Sequence, residues 1–105
     1  MQRSAVIAVC FGLLALPAAS LAQQPENIVL SDKDVKQLTP HVWAIYGNPN
    51  IGIVVGSRGT LVVDTGLGKR NGTTVDAVVE KLRKGGKLYL ATTHFHPEHV
   101  TGQSG

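Results

Sequence analysis

His94, Phe95, His96, Pro97, Glu98 and His99 stand in one run and take three of the four histidines in the 105-residue chain. Imidazole nitrogens and a carboxylate are ligands for zinc and other borderline divalent ions, so the run carries four potential donors: His94, His96, Glu98 and His99. A solvated loop readily holds one histidine. Three at this spacing point to a metal site. If the strand leading into the run continued, His94 and His96 would share one face at about 6.5 to 7 Å between Cα atoms, close enough for a common ion. Pro97 would end that strand, and the turn beyond it would set Glu98 and His99 beside the first pair. Zinc held by imidazoles lowers the pKa of its bound water towards about 7 and polarises a carbonyl or phosphoryl oxygen, which is the chemistry of a hydrolase.

The elements that must position these residues can be read from the apolar pattern. Leu38 to Gly47 alternates as a strand does, with Val42, Ala44 and Tyr46 on one face and Trp43 and Ile45 on the other. Asn48-Pro49-Asn50 then turns the chain. The β-branched runs Ile51–Gly56 and Thr60–Asp64 flank Ser57-Arg58-Gly59 and predict a hairpin. Glycines 66, 68 and 72 argue against regular structure and for close passage of the backbone past a neighbour. Val75, Val78, Val79 and Leu82 have helical spacing, with Thr73 and Asp76 as a capping-box-like start and Gly85-Gly86 as the end. Lys87 to Thr93 reads as a strand running directly into the histidines.

The totals narrow the function classes. Hydrophobic content of 43% and charged content of 16% describe an ordinary globular chain with room for one small domain. Residues 1–22 carry Arg3, an apolar core, Pro17 and the small residues Ser20 and Ala22, the pattern of a cleavable signal peptide. The core is too short for the roughly 20 apolar residues of a membrane span. A periplasmic or secreted protein with no membrane attachment after cleavage is therefore expected, and Cys10, the only cysteine, leaves with the signal. The polar stretch after it, residues 23–37, reads as a flexible leader, and the domain as residues 38–105. The formal net charge is +3, one unit of which leaves with Arg3, and the remaining cations form no stripe. A small-molecule substrate is expected and nucleic acid is not. His41 reads as a surface residue and Trp43 as core or pocket wall. Lys81, Arg83 and Lys84 read as a solvated helix end favoured by the helix dipole.

His94-Phe95-His96-Pro97-Glu98-His99 resembles the HxHxDH signature of the metallo-β-lactamase superfamily, and Leu61 to Gly66, LVVDTG, resembles the Asp motif that precedes it there. The resemblance covers about Leu38 to Gly102 and agrees in the order of elements. It implies an α/β fold, the N-terminal half of a metallo-β-lactamase-like αββα sandwich, with the remaining ligands in later strands and loops, so that this stretch alone is expected to be nearly inactive. It further implies that His94 and His96 bind a first zinc ion and that Glu98 and His99 serve a second. Glu98 would also have the catalytic role of orienting the attacking water or taking up its proton. Asp64 matches the family Asp that supports the ligand loop through hydrogen bonds, although a residue at a strand end equally caps its own turn. Glu98 departs from the family's usual Asp by one methylene, which favours single-metal operation or a metal other than zinc.

Two other readings of the residues remain at this stage. One is a small periplasmic metal-binding protein without catalysis, which a closed coordination shell would favour. The other is an amidohydrolase barrel, in which an HxH pair opens the first strand; here several strands come before it.

Overall fold

Alternating β-branched residues build the sheet. Val42–Ile45 (β2), Ile51–Val55 (β3) and Gly59–Val63 (β4) pair antiparallel in sequence order, with Val35–Thr39 (β1) on one edge and Lys87–Ala91 (β5) parallel to β4 on the other. A parallel pair needs a crossover, and the helix Gly68–Leu82 (α1) supplies it. A short helix, Pro97–Val100 (α2), and a 3-10 turn, Thr101–Ser104, follow β5. Residues 28–105, those described by the computed structural model, thus form a small mixed α/β domain with a five-stranded sheet and two helices.

The period of two along each strand sorts the side chains between two faces. Ile45, Ile51, Ile53, Val55 and Val62 pack with Val75, Val78 and Val79 of α1, and Leu30 joins the same cluster. Each such side chain contributes about 1.5–3 kcal/mol when fully buried, so this layer between sheet and helix is the main source of stability. The opposite face carries a cross-strand row, Val42, Val54, Leu61 and Tyr89. It lies open, with Val54 40%, Leu61 36% and Tyr89 53% exposed. Every residue of β5 is exposed.

Four expectations change at this level. The stretch from Leu38 to Gly47 is not one strand but the end of β1, the turn and the second arm of the β1–β2 hairpin; Pro40 and His41 form the turn, since proline has no N–H for the ladder. Helix α1 begins at Gly68, five residues before the Thr73 start expected from the capping pattern. Thr73 and Thr74 instead turn their hydroxyls back onto the carbonyls of Lys69 and Arg70, at 3.1 and 3.3 Å. The strand β5 stops at Ala91, so His94 and His96 are not on a strand. Finally, the leader expected over residues 23–37 is built into the domain from Ile28 onward. Leu30 is 4% exposed, a 3-10 turn covers Asp32–Asp34, and β1 starts at Val35. The expected signal peptide, 1–22, and residues 23–27 lie outside the described residues.

Asn71 explains why the leader is held. Its Oδ1 accepts from the Leu30 backbone N–H at 3.0 Å and its Nδ2 donates to the Ile28 carbonyl at 2.7 Å. Both partners precede it by about forty positions, so the amide ties the chain's early segment to α1. Asn71→Ala removes both bonds and strands a buried N–H. At about 1 kcal/mol per lost bond plus the desolvation left behind, urea unfolding should show a loss of about 2–3 kcal/mol. A loss below about 0.5 kcal/mol would show that the segment is not anchored there.

Candidate metal centre

Parallel strands deliver their C-terminal ends to the same edge of the sheet, and β4 and β5 do this here. The segment after β4, Asp64 to Gly68, therefore meets the segment after β5, Thr92 to Ser104. Backbone bonds hold the two together: Asp64 N donates to Ala91 O at 2.9 Å, Thr65 N to His99 O at 3.0 Å and Gly102 N to Gly66 O at 3.0 Å. The Thr101 hydroxyl accepts from Gly68 N at 2.8 Å, at the first residue of α1. The glycines at 72 and 102 are needed for space, because a Cβ on Gly72 would fall on the Gly102 carbonyl and one on Gly102 on the Thr65 carbonyl.

Asp64 is the hub of this contact. It has a positive φ of 65° and is 3% exposed. Aspartate is among the few side-chain-bearing residues that accept this region. Its Oδ1 accepts from the Thr93 backbone N–H at 2.8 Å; its Oδ2 accepts from the Thr93 hydroxyl at 2.9 Å and from His99 Nδ1 at 2.7 Å. These partners lie across the loop, so the carboxylate does not cap its own turn. The same bonds take the Thr93 N–H out of the sheet ladder, and β5 ends at Ala91, opposite Val63, the last residue of β4. Burial raises the Asp64 pKa, but the hydrogen bonds from Thr93 and His99 together outweigh it and hold the group below its ordinary value of 3.8.

A carboxylate with a lowered folded-state pKa stabilises the fold above its unfolded-state pKa, and that contribution disappears as pH falls through the folded value. Stability should therefore decline on acidification below the ordinary carboxylate range. Asp64→Asn should flatten that part of a stability–pH curve measured by urea unfolding; a curve of unchanged shape would assign the acid sensitivity elsewhere.

Three of the four sequence-predicted donors, His94, His96 and Glu98, come together as one group, and the fourth, His99, lies beside it. His94 Nε2 lies 3.1 Å from His96 Nδ1, and Glu98 Oε1 lies 3.6 Å from the same His96 nitrogen. One ligand atom each from His94, His96 and Glu98 falls within 4.8 Å of the others. Zinc–nitrogen bonds of about 2.0–2.1 Å place two ligands of one ion roughly 3 to 4 Å apart, so the donor set fits a divalent ion. His99 adjoins the group, its ring centroid 3.9 Å from that of His94 and its Nε2 4.0 Å from Glu98 Oε1.

This differs from the two-by-two division implied by the resemblance. Glu98 groups with His94 and His96, while His99 is turned by its bond to Asp64. Pro97 is the reason. As the first residue of α2, where its missing N–H costs nothing, it starts a helical turn that folds Glu98 back toward the two imidazoles. His96 precedes the helix in extended conformation. Convergence thus comes from a loop and a helix start rather than from a strand face.

His41 is exposed at the β1–β2 turn, and Trp43 packs partly buried against the core. Thr93 is a residue that sequence reading passed over. Its hydroxyl touches Asp64, His94 Nδ1 at 3.0 Å and His99 Nδ1 at 3.2 Å. Its only sequence signal is its place immediately before the cluster. No protein-family model matches this chain, and no curated protein matches it.

Proposed function

We propose that this chain carries the metal centre of an exported metal-dependent hydrolase of the metallo-β-lactamase type, acting on an amide, ester or thioester of a small molecule. The observation that carries the reading is the convergence of His94 Nε2, His96 Nδ1 and a Glu98 oxygen, with His99 oriented beside them by a buried carboxylate. Zinc is the ion best matched to two imidazoles and a carboxylate. When bound, it would supply a water of lowered pKa and a Lewis acid for the substrate's carbonyl oxygen.

The chain's own residues do the rest. His94 and His96 bind through the nitrogens that face each other. The Glu98 carboxylate, one oxygen of which lies among the donors, orients water and holds the proton that water gives up. Asp64, through His99 Nδ1, fixes the direction of the His99 Nε2 lone pair. The site is open to solvent, with the His96 side chain 56% exposed, which favours a centre with free coordination positions over a closed structural one.

Hydrolysis of a panel containing a β-lactam, an aryl ester and a thioester, measured on the exported protein with and without zinc, tests the proposal. Zinc-dependent turnover of at least one substrate, lost on chelation, is the expected result. Metal uptake with no turnover across the panel would move the reading to a metal-binding protein without catalysis.

A further inference from the structure

Proton counting around Asp64 settles how two of the imidazoles are oriented. An ionised carboxylate only accepts hydrogen bonds, and a hydroxyl has one proton to give. The shortest contact of the Thr93 hydroxyl is to Asp64 Oδ2, at 2.9 Å. A bond to a charged acceptor is the stronger use of that proton, so Thr93 donates to Asp64. His94 Nδ1, 3.0 Å from the Thr93 hydroxyl oxygen, must then be the donor in its bond to Thr93. His99 Nδ1 likewise donates to Asp64 Oδ2 at 2.7 Å, which leaves its longer contact to Thr93, 3.2 Å, without a proton of its own. The two rings are thereby fixed in the same sense, one by the carboxylate and the other by the hydroxyl.

We propose that Thr93 is a positioning residue of the metal centre: its hydroxyl relays the Asp64 carboxylate to His94, holding the proton on His94 Nδ1 and turning the bare Nε2 toward His96. Nothing in the spacing of the donors requires a hydroxyl here. Without it, His94 Nδ1 has no protein partner among those described, and the ring can take its proton on Nε2, the nitrogen that must ligate. The backbone N–H of Thr93 anchors the loop to Asp64 Oδ1 separately. Loss of the hydroxyl therefore leaves the loop tied down. The metal part of this proposal rests on the hydrolase reading above; the tautomer part does not.

The test uses the full chain as wild type, Thr93→Ser and Thr93→Val, the last isosteric but without the hydroxyl. Nitrogen-15 NMR of the metal-free proteins at mildly alkaline pH reads the His94 tautomer, and calorimetric titration with zinc reads affinity. Wild type and Thr93→Ser should hold His94 as the Nδ1–H form and bind zinc alike. In Thr93→Val the Nε2–H form should become the major one and zinc should bind about 10-fold more weakly, as for other residues that orient a ligand through a hydrogen bond. His94 in the Nε2–H form in wild type, or a Thr93→Val protein with wild-type tautomer and affinity, would overturn the proposal. If wild type takes up no zinc, the hydrolase reading fails while the tautomer still decides the role of Thr93.

Discussion

His96→Ala should cost more than about 100-fold in metal affinity and, on the proposed function, remove hydrolysis with it. His96 Nδ1 is the atom that the other donors surround, 3.1 Å from His94 Nε2 and 3.6 Å from Glu98 Oε1. Deleting it leaves the two remaining donors without their common neighbour. Losing a residue that merely orients a ligand costs about 10–100-fold, so losing a ligand should exceed that range. The fold should survive, because the His96 side chain is 56% exposed and His96 is not among the residues of the buried core cluster. Glu98→Gln should act in the same direction but less strongly. Its amide keeps an oxygen for the ion, yet it has no charge to offer and cannot take up a proton. Had Glu98 served a separate position, that variant would have left the first ion's affinity intact. Metal analysis after dialysis, beside circular dichroism, checks both variants, and wild-type metal content in His96→Ala would remove the basis of the site.

Gly72→Ala should destabilise the protein by about 3 kcal/mol or more. In an open helix this substitution gains about 1 kcal/mol, since alanine restricts the unfolded chain and favours the helix. Here the sign reverses. The added Cβ would fall on the Gly102 carbonyl and press on the Gly105 backbone. Neither obstacle is a side chain that can rotate away, so helix α1 and the 101–105 segment must separate. That separation also strains the bond from Gly68 N to the Thr101 hydroxyl, and with it the placement of α2. Gly68→Ala is the contrasting case. Among the described residues, no atom beyond its chain neighbours and its own helix backbone lies within 4 Å of its added Cβ, and the positive φ of 72° makes the substitution costly, at about 1–2 kcal/mol. Urea unfolding of the two variants separates crowding from conformation. Equal losses would mean that the α1 contact is looser than the geometry requires.

Much of the scaffold can be read from the chain because the signals are local. Ile51–Val55 and Gly59–Val63 alternate β-branched residues around a Gly-containing turn, and they pair as a hairpin. Val75, Val78 and Val79 share a helical face and are buried together. The parts that local pattern misses depend on partners distant in sequence. The first turn of α1 looks like loop because of its glycines, but Asn71 and Gly72 are buried there by contacts with Leu30 and Gly102. The leader looks polar because its ties to the domain are single residues rather than an apolar stripe: Leu30 in the core, Val35 packed against it and the Asn71 amide on the backbone of Ile28 and Leu30.

The site shows the same division. His94, His96, Glu98 and His99 announce themselves by type and spacing. How they group does not follow from spacing alone, because it depends on where β5 ends and on the helical turn that Pro97 begins. The strand drawn from the sequence would have set His94 and His96 side by side on one face; in the structure a loop tied to Asp64 through Thr93 brings them together with Glu98. Thr93 could not be singled out from the chain, since a threonine between a strand and a turn is unremarkable until Asp64 arrives from 29 residues away.

Titration of the metal-stripped protein with cobalt(II), followed by electronic absorption, shows whether His94, His96 and Glu98 hold a divalent ion together. Saturation at one ion per chain, displacement of cobalt by zinc, and loss of the spectrum in a His94→Ala, His96→Ala double variant that remains folded are the expected results. No uptake by the wild-type protein, or the same spectrum from the folded double variant, would contradict them.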